Sequence, residues 1–225
     1  MNTIRAFVEK GTKKTFAGAL DWPGWCRSGR DEQEALQTLL NYRMRYTGIL
    51  QAGGIASQPP SALADVLVVE RHTGNASTDF GAPAAVLDAD RVPLDHIELG
   101  GMQDLLCAYW LAFDAAVALA QGKELRKGPR GGGRELDDIL GHILEADLAY
   151  LSRLAWKIKR EEGANPAQEI PRIRQGIMDA LEQAVCGELP ERGPRGGTIW
   201  LPRYFIRRVA WHVLDHAWEI EDRLG

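Results

Sequence analysis

The sequence predicts an α+β N-terminal module followed by an all-α, up-down-up-down four-helix bundle. Two observations carry this prediction. Residues before about 72 alternate as short strands around one capped helix, whereas from Ile97 onward the apolar residues recur with a period of 3.6. Between them lies a stretch rich in Gly, Ala, Asp and Pro, which is typical of a domain boundary. We therefore predict a first domain at 1–72, a linker at 73–94 and the bundle at 95–225.

Four strands and one helix are expected in the first domain. Asp31, with Glu34 three residues later, is a helix-capping pattern, and we expect this helix to end near Gly48 or Gly53. The last strand is almost wholly apolar, so we expect it to be buried on both faces. The predicted strands are 3–8, 14–20, 26–28 and 65–70.

Four helices with connections of roughly a dozen residues suit a bundle. Apolar residues at helical spacing place the first helix at 97–121 and the second at 135–160. The third follows Pro171 and ends at 186–187, and the fourth spans about 201–223. In an up-down-up-down bundle the second and fourth helices run parallel.

Three histidines are the candidate metal ligands. His212 and His216 are four residues apart on the apolar face of the fourth helix, where an unpaired polar ring costs roughly 1–3 kcal/mol. His142 lies at a matching depth on the second helix, if the two helices are parallel. Histidine core residues satisfied by hydrogen bonds are the alternative interpretation, and the protease signature His-Glu-x-x-His is absent.

Composition narrows the class of protein. The net charge is −4, the charges are interspersed, and we find no basic stripe for nucleic acid. We see no signal-peptide run and no stretch near the ~18 apolar residues of a membrane span. Three cysteines, Cys26, Cys107 and Cys186, are widely spaced and odd in number, which favours reduced thiols. We therefore expect a cytoplasmic protein with neither a nucleic-acid nor a membrane partner.

Two families share motifs with this chain. Leu20-Asp-Trp-Pro-Gly-Trp-Cys26 ahead of a capped helix resembles the HicB-like antitoxin fold over residues 1–72, which implies a small α+β interaction module. His142 on the second helix and His-x-x-x-His on the fourth resemble the DinB/YfiT-like superfamily over residues 95–225. That resemblance implies a divalent metal, most often nickel or zinc, held by His142, His212 and His216. It also implies a hydrolase, or a transferase or isomerase that uses a low-molecular-weight thiol such as mycothiol or bacillithiol.

Acidic and basic residues near the histidines are further candidates. Asp138, Glu145, Asp215 and Glu219 are candidates for orienting ligands or transferring protons. Arg208, one helical turn before His212, is a candidate for binding a small anionic ligand. Gly-Pro-Arg-Gly-Gly precedes both the second and the fourth helix. We expect these loops to flank one mouth with Arg130, Arg195, Arg203 and Arg208, although two solvated surface loops are the alternative.

The sequence thus favours a metal-binding protein that acts on a small, anionic molecule, as a hydrolase or a thiol-dependent enzyme. The rival hypothesis is a non-catalytic regulatory protein. In it, the HicB-like part is a binding module and the bundle forms a homodimer.

Overall fold

The computed structural model describes residues 3–127, 133–193 and 196–224. The fold is mixed α+β, with a four-stranded sheet at the N-terminus followed by helices. Short 3-10 helices lie at Leu63–Asp65 and Ala89–Arg91. The main elements in chain order are β1 (Ile4–Lys10), β2 (Thr15–Ala19), β3 (Cys26–Gly29), α1 (Glu32–Asn41), α2 (Arg43–Ala52), β4 (Val66–Thr73), α3 (Ala76–Phe80), α4 (His96–Ala120), α5 (Leu136–Arg153), α6 (Pro166–Val185) and α7 (Pro202–Leu224).

The sheet has the strand order β3-β2-β1-β4. β1 pairs antiparallel with β2 and parallel with β4, and the parallel pair needs the crossover that α1 and α2 supply. Asp31 caps α1 by accepting a hydrogen bond from the Glu34 backbone N–H at 2.9 Å. The predicted order of strands and capped helix is confirmed, although the helix is split in two at Tyr42.

β4 differs from its prediction. We expected burial on both faces, but its residues alternate between partly buried and exposed, with the side chains of Leu67 and Val69 about half exposed. The reason is its position: β4 is an edge strand, with β1 on one side and no strand paired on its other side among the described residues.

Two bundle helices have different limits from those predicted. α6 begins at Pro166 instead of after Pro171, because Asn165 caps it and Pro166 takes the first helical position. α5 ends at Arg153, several residues before the predicted end at 160. Ala155 has a positive φ of 58°, and the Trp156 N–H bonds to the Leu151 carbonyl at 3.1 Å, which closes the helix end.

Contacts at the helix ends define the directions of α4, α5 and α7. α7 runs parallel to α4, because Arg203 at the start of α7 bonds Glu98 at the start of α4 at 2.6 Å. α5 runs antiparallel to α7. The Trp200 N–H, just before α7, donates to the carbonyl of Arg153 at the end of α5 at 2.9 Å.

The bundle is therefore up-down-down-up, and the up-down-up-down prediction was wrong. α6 runs antiparallel to α4, since Arg174 bonds Asp114 at 2.7 Å and Gln103 bonds Glu182 at 3.0 Å. α5 and α6 consequently point the same way. The connection 154–165 makes this feasible, because about a dozen extended residues span ~40 Å, more than the ~27 Å length of α5.

α7 lies between the sheet and the other bundle helices. On the sheet side, Trp211 packs edge-on against Phe16, with ring centroids 6.3 Å apart, and Asp215 pairs with Arg27 at 2.9 Å. Gly24, in the turn before β3, has a φ of +99° and lies against Ala210, where a Cβ would come within 2.8 Å. The turn between β2 and β3 thus helps to set the position of α7.

The segment predicted as a linker, 73–94, packs against the sheet. The buried carboxylate of Glu9 on β1 accepts hydrogen bonds from the Ala84 and Ala85 N–H groups at 3.0 and 2.9 Å. It also accepts one from the Thr78 hydroxyl at 2.5 Å. This segment therefore covers part of the sheet face that also contacts α7.

The sequence suggested separate cores for 1–72 and 95–225, whereas most buried hydrophobic residues form one cluster that spans both, and a second cluster of five also joins the sheet to α7. Trp25 stacks on Tyr46 with ring centroids 4.9 Å apart, and the hydroxyls of Tyr46 and Tyr109 lie 2.6 Å apart. These contacts join β3 and α2 to α4. The domain limits themselves stay a prediction.

By length and composition α4 is apolar enough to cross a membrane, contrary to the sequence expectation that no stretch comes close. Core helices meet the same criterion. One face of α4, including Leu106 and Phe113, is buried in the shared cluster. The expectation of no membrane partner remains a prediction.

Candidate metal centre

Two helices bring the three histidines together. His212 and His216 are one turn apart on the face of α7 that looks towards α5, and His142 is on α5 opposite them. One ring nitrogen from each histidine lies within 4.8 Å of the others. His212 and His216 are buried, with 6% and 7% of their surface exposed, and His142 is partly exposed. The predicted ligand set therefore converges on one point.

Glu219 orients His216. The Nδ1–H of His216 donates to the Glu219 carboxylate at 2.7 Å, so its Nε2 lone pair is left for another partner. Arg223 donates to the other carboxylate oxygen at 3.0 Å. The hydrogen bond with His216, assisted by Arg223, lowers the pKa of Glu219 below its usual value. This arrangement is the one that metal-ligating histidines commonly have in proteins.

The surroundings keep the other two rings neutral. Burial and the positive charge of Arg134 lower the pKa of His142. Burial, followed by the neighbouring His216 and His142, lowers the pKa of His212 well below its usual value. A metal ion binds the neutral imidazole, so these shifts favour metal binding near neutral pH.

The donor set fits a divalent metal. Three imidazoles are typical ligands of zinc and nickel, and three protein ligands leave further positions open. The Nε2 atoms of His142 and His212 are 3.0 Å apart. That distance suits two ligands at about 90° on one ion with ~2.1 Å bonds, and it equally suits an N–H···N hydrogen bond. The His212 Nδ1 is buried and has no hydrogen-bond partner among the described residues.

Three of the four acidic candidates lie away from the histidines. Glu145 pairs with Arg160 at 2.9 Å on the exposed side of α5. Asp215 faces the sheet and pairs with Arg27, and Asp138 belongs to the cap of α5. Of the acidic candidates, Glu219 alone contacts a histidine of the cluster.

Arg208 is buried beside the centre, with a different set of partners from those expected. It donates to the Pro83 carbonyl and, at 3.1 Å, to the hydroxyl of Tyr150. The Tyr150 ring lies 5.9 Å from that of His212, so Tyr150 separates the guanidinium from the histidines. Arg208 is buried and forms no ion pair within the described ranges.

The described residues next to the two Gly-Pro-Arg-Gly-Gly motifs do not flank a single mouth, because α5 and α7 are antiparallel. Gly133, before α5, lies against Arg223 at the end of α7. Gly193 and Gly197, before α7, lie near Arg153 at the end of α5. These described neighbours of the two motifs therefore lie at opposite ends of the bundle, while residues 128–132 and 194–195 of the motifs themselves lie outside the described residues. Arg203 binds the 92–93 carbonyls and Glu98, while Arg130 and Arg195 lie outside the described residues.

Sequence reasoning missed two residues that contact or influence the centre. Tyr150 follows His142 by eight residues and so belongs to the same broad face of the helix, which was the available signal. Arg134 was not considered. Its position just before α5, two turns from His142, was the available signal.

Comparisons with protein-family models, with curated proteins and with solved structures found no match. The resemblances to the HicB-like and DinB/YfiT-like families therefore rest on the sequence motifs, and they stay predictions.

Proposed function

We propose that the chain is a divalent-metal-binding protein of DinB/YfiT-like type, with nickel or zinc held by His142, His212 and His216. One observation carries the proposal: three imidazoles from two helices meet with their ring nitrogens within 4.8 Å. Glu219 supports it, because its bond to His216 presets the tautomer that a metal ligand needs.

The proposed activity is hydrolysis or a thiol-dependent transfer or isomerisation of a small anionic molecule, in the cytoplasm. A bound ion would supply a Lewis acid that lowers the pKa of a coordinated water or thiol. The protein groups have separate roles. Glu219 orients His216, and Tyr150 lies between His212 and the charge of Arg208, which would attract an anion.

Metal analysis of single variants tests the proposal. Untagged protein, loaded with nickel or zinc and then desalted, should hold one ion per chain. Replacing His142, His212 or His216 with Ala should each weaken binding by more than the roughly 10–100-fold cost of losing a supporting group. His72→Ala is the matched control, because His72 pairs with Glu70 on β4, away from the cluster. Full occupancy in His142→Ala would refute the three-histidine site.

A non-catalytic interaction protein is the second candidate, with the bundle as a dimer and the N-terminal part as the binding module. The 3.0 Å contact between His142 and His212 favours it, since a hydrogen bond would satisfy the facing Nε2 atoms of both rings without an ion. The two candidates differ in thermal unfolding. Saturating metal should raise the midpoint if the site is built for it, because about 100 times Kd stabilises the folded state by ~2.7 kcal/mol. Equal midpoints with metal and with chelator would favour the second candidate.

A further inference from the structure

A cavity of about 550 Å³ lies on the far side of Tyr150 from the histidines. The end of α5 and the start of α7 form one wall, and residues of the 76–84 segment, small except for Phe80, form the other. Its large lining side chains are Phe80, Tyr150, Arg153, Trp200, Tyr204 and Arg208. The volume suits a small organic molecule.

The charge of the cavity is positive. Arg208 is 8% exposed and Arg153 lies at the rim, and neither forms an ion pair with a described residue. No acidic side chain lines the cavity within the described part of the chain. The Arg208 Nε also has no hydrogen-bond partner there. A buried guanidinium without a counter-charge is costly, and an anionic ligand would compensate it.

The neighbouring arginine provides the contrast. Arg207 is equally buried, yet its guanidinium pairs with Asp90 at 2.5 Å and also bonds the Ala85 carbonyl. The fold thus neutralises one of two adjacent arginines on α7 and leaves the other facing an open cavity. This difference indicates a ligand site in place of a purely structural role for Arg208.

The remaining walls are flat and aromatic. Trp200 packs against Tyr150 and Tyr204, with ring centroids 5.4 and 4.8 Å away. The Tyr204 hydroxyl is engaged with the Ala84 carbonyl at 3.1 Å. The Tyr150 hydroxyl accepts from Arg208, and its own proton has no acceptor among the described residues, so it is free to donate to a ligand oxygen.

We propose that this cavity binds an organic carboxylate with a flat, apolar body. The carboxylate would lie at Arg208, Arg153 and the Tyr150 hydroxyl, and the body would lie against Trp200. This inference deepens the proposed function and rests on it for the ligand's role as substrate, because Tyr150 joins the cavity to His212. Binding itself requires only the residues of the cavity.

Calorimetric titration of benzoate into the full chain tests the inference, with metal-loaded and chelator-treated protein run side by side. Benzamide serves as the uncharged analogue and acetate as the analogue without a ring. Benzoate should bind at least about tenfold more tightly than either, because charge-assisted hydrogen bonds and ring contacts are both needed.

Variants locate the site. Arg153→Gln and Tyr150→Phe should each weaken benzoate binding about threefold to tenfold, and Arg208→Gln about tenfold or more. Arg208→Lys should retain part of the affinity. Ala149→Phe should block binding by filling the cavity without a change of charge. Arg71→Gln is the matched control for Arg153, since Arg71 is an exposed arginine on β4 paired with Glu32.

Two results would overturn the inference: equal binding of benzoate and benzamide, or unchanged benzoate affinity in Arg153→Gln and Ala149→Phe. Both variants are exposed positions, so the test stands even if Arg208→Gln fails to fold. Failure of the proposed function has a different signature. If the protein binds benzoate through Arg153 but binds no metal, the cavity proposal stands and the metal-site proposal fails. If it binds metal but not benzoate, the metal-site proposal stands and the cavity proposal fails.

Discussion

At the scale of single residues, polar groups on α7 differ in how the fold satisfies them. His216 has Glu219, and Arg207 has Asp90. The Nδ1 of His212 and the Nε of Arg208 are buried without a partner among the described residues. Each such atom costs roughly 1–3 kcal/mol of stability. The two lie one helical turn apart, so this part of the cost falls beside the proposed metal centre and ligand cavity.

Asp147 on α5 predicts an unusual dependence of stability on pH. Burial raises its pKa from the usual 3.8 to about 7, and Arg174 offsets only part of this. The folded state therefore keeps the proton between about pH 4 and 7, where the unfolded chain releases it. The contribution of Asp147 to the free energy of unfolding should thus fall by on the order of 2–4 kcal/mol as pH rises through this window. Above the window it should be constant.

Urea unfolding at pH 5 and pH 7.5 checks this prediction. Other carboxylates, such as Glu70 and Glu219, have lowered pKa values and change stability in the opposite direction. The informative quantity is therefore the difference between wild type and Asp147→Asn. Relative to the variant, wild type should lose stability as pH rises. Parallel pH profiles would mean that Asp147 is ionised in the folded protein at both pH values.

At the scale of elements, the turn before β3 is predicted to control the position of α7. Gly24→Ala should destabilise the protein by about 2–4 kcal/mol, because φ is +99° and the new Cβ would contact Ala210. Gly48→Ala is the control: Gly48 lies in α2 with no atom near its missing Cβ, so the change should be neutral or stabilising by up to ~1 kcal/mol. Chemical denaturation of both variants gives the comparison, and equal midpoints would show that the turn tolerates a side chain.

The elements were largely predictable from the sequence, since their signals are local. The Asp31 cap, the first three strands and α4 follow from capping and periodicity. The burial of β4 and the start of α6 were predicted wrongly, because the first depends on neighbouring elements and the second on competing local signals. β4 is partly exposed because it is an edge strand, and α6 starts early because Asn165 and Pro166 outweigh the single hydrogen bond lost at Pro171.

At the scale of the whole molecule, the directions of the bundle helices could not be predicted from the sequence. A connection of about a dozen residues can join neighbouring antiparallel helices or cross over to a parallel one. The three histidines still converge, because His142 and His212 lie near the middle of their helices. Reversing one helix hardly changes the height of a central residue. It does move the helix ends, so the described residues next to the two Gly-Pro-Arg-Gly-Gly motifs lie at opposite ends of the bundle instead of around one mouth.

The continuous core predicts that the N-terminal module and the bundle unfold together. Trp25, Tyr46 and Tyr109 link the sheet to α4, and Glu9 holds the 73–94 segment on the sheet. Removing the first module would expose Tyr109 and the sheet side of α7, so the bundle alone should lose stability. Calorimetry should therefore show one transition whose calorimetric and van 't Hoff enthalpies agree. Two transitions would contradict this prediction. So would proteolysis at 73–94 that releases a helical fragment able to bind metal, which is the result that the predicted domain limits imply.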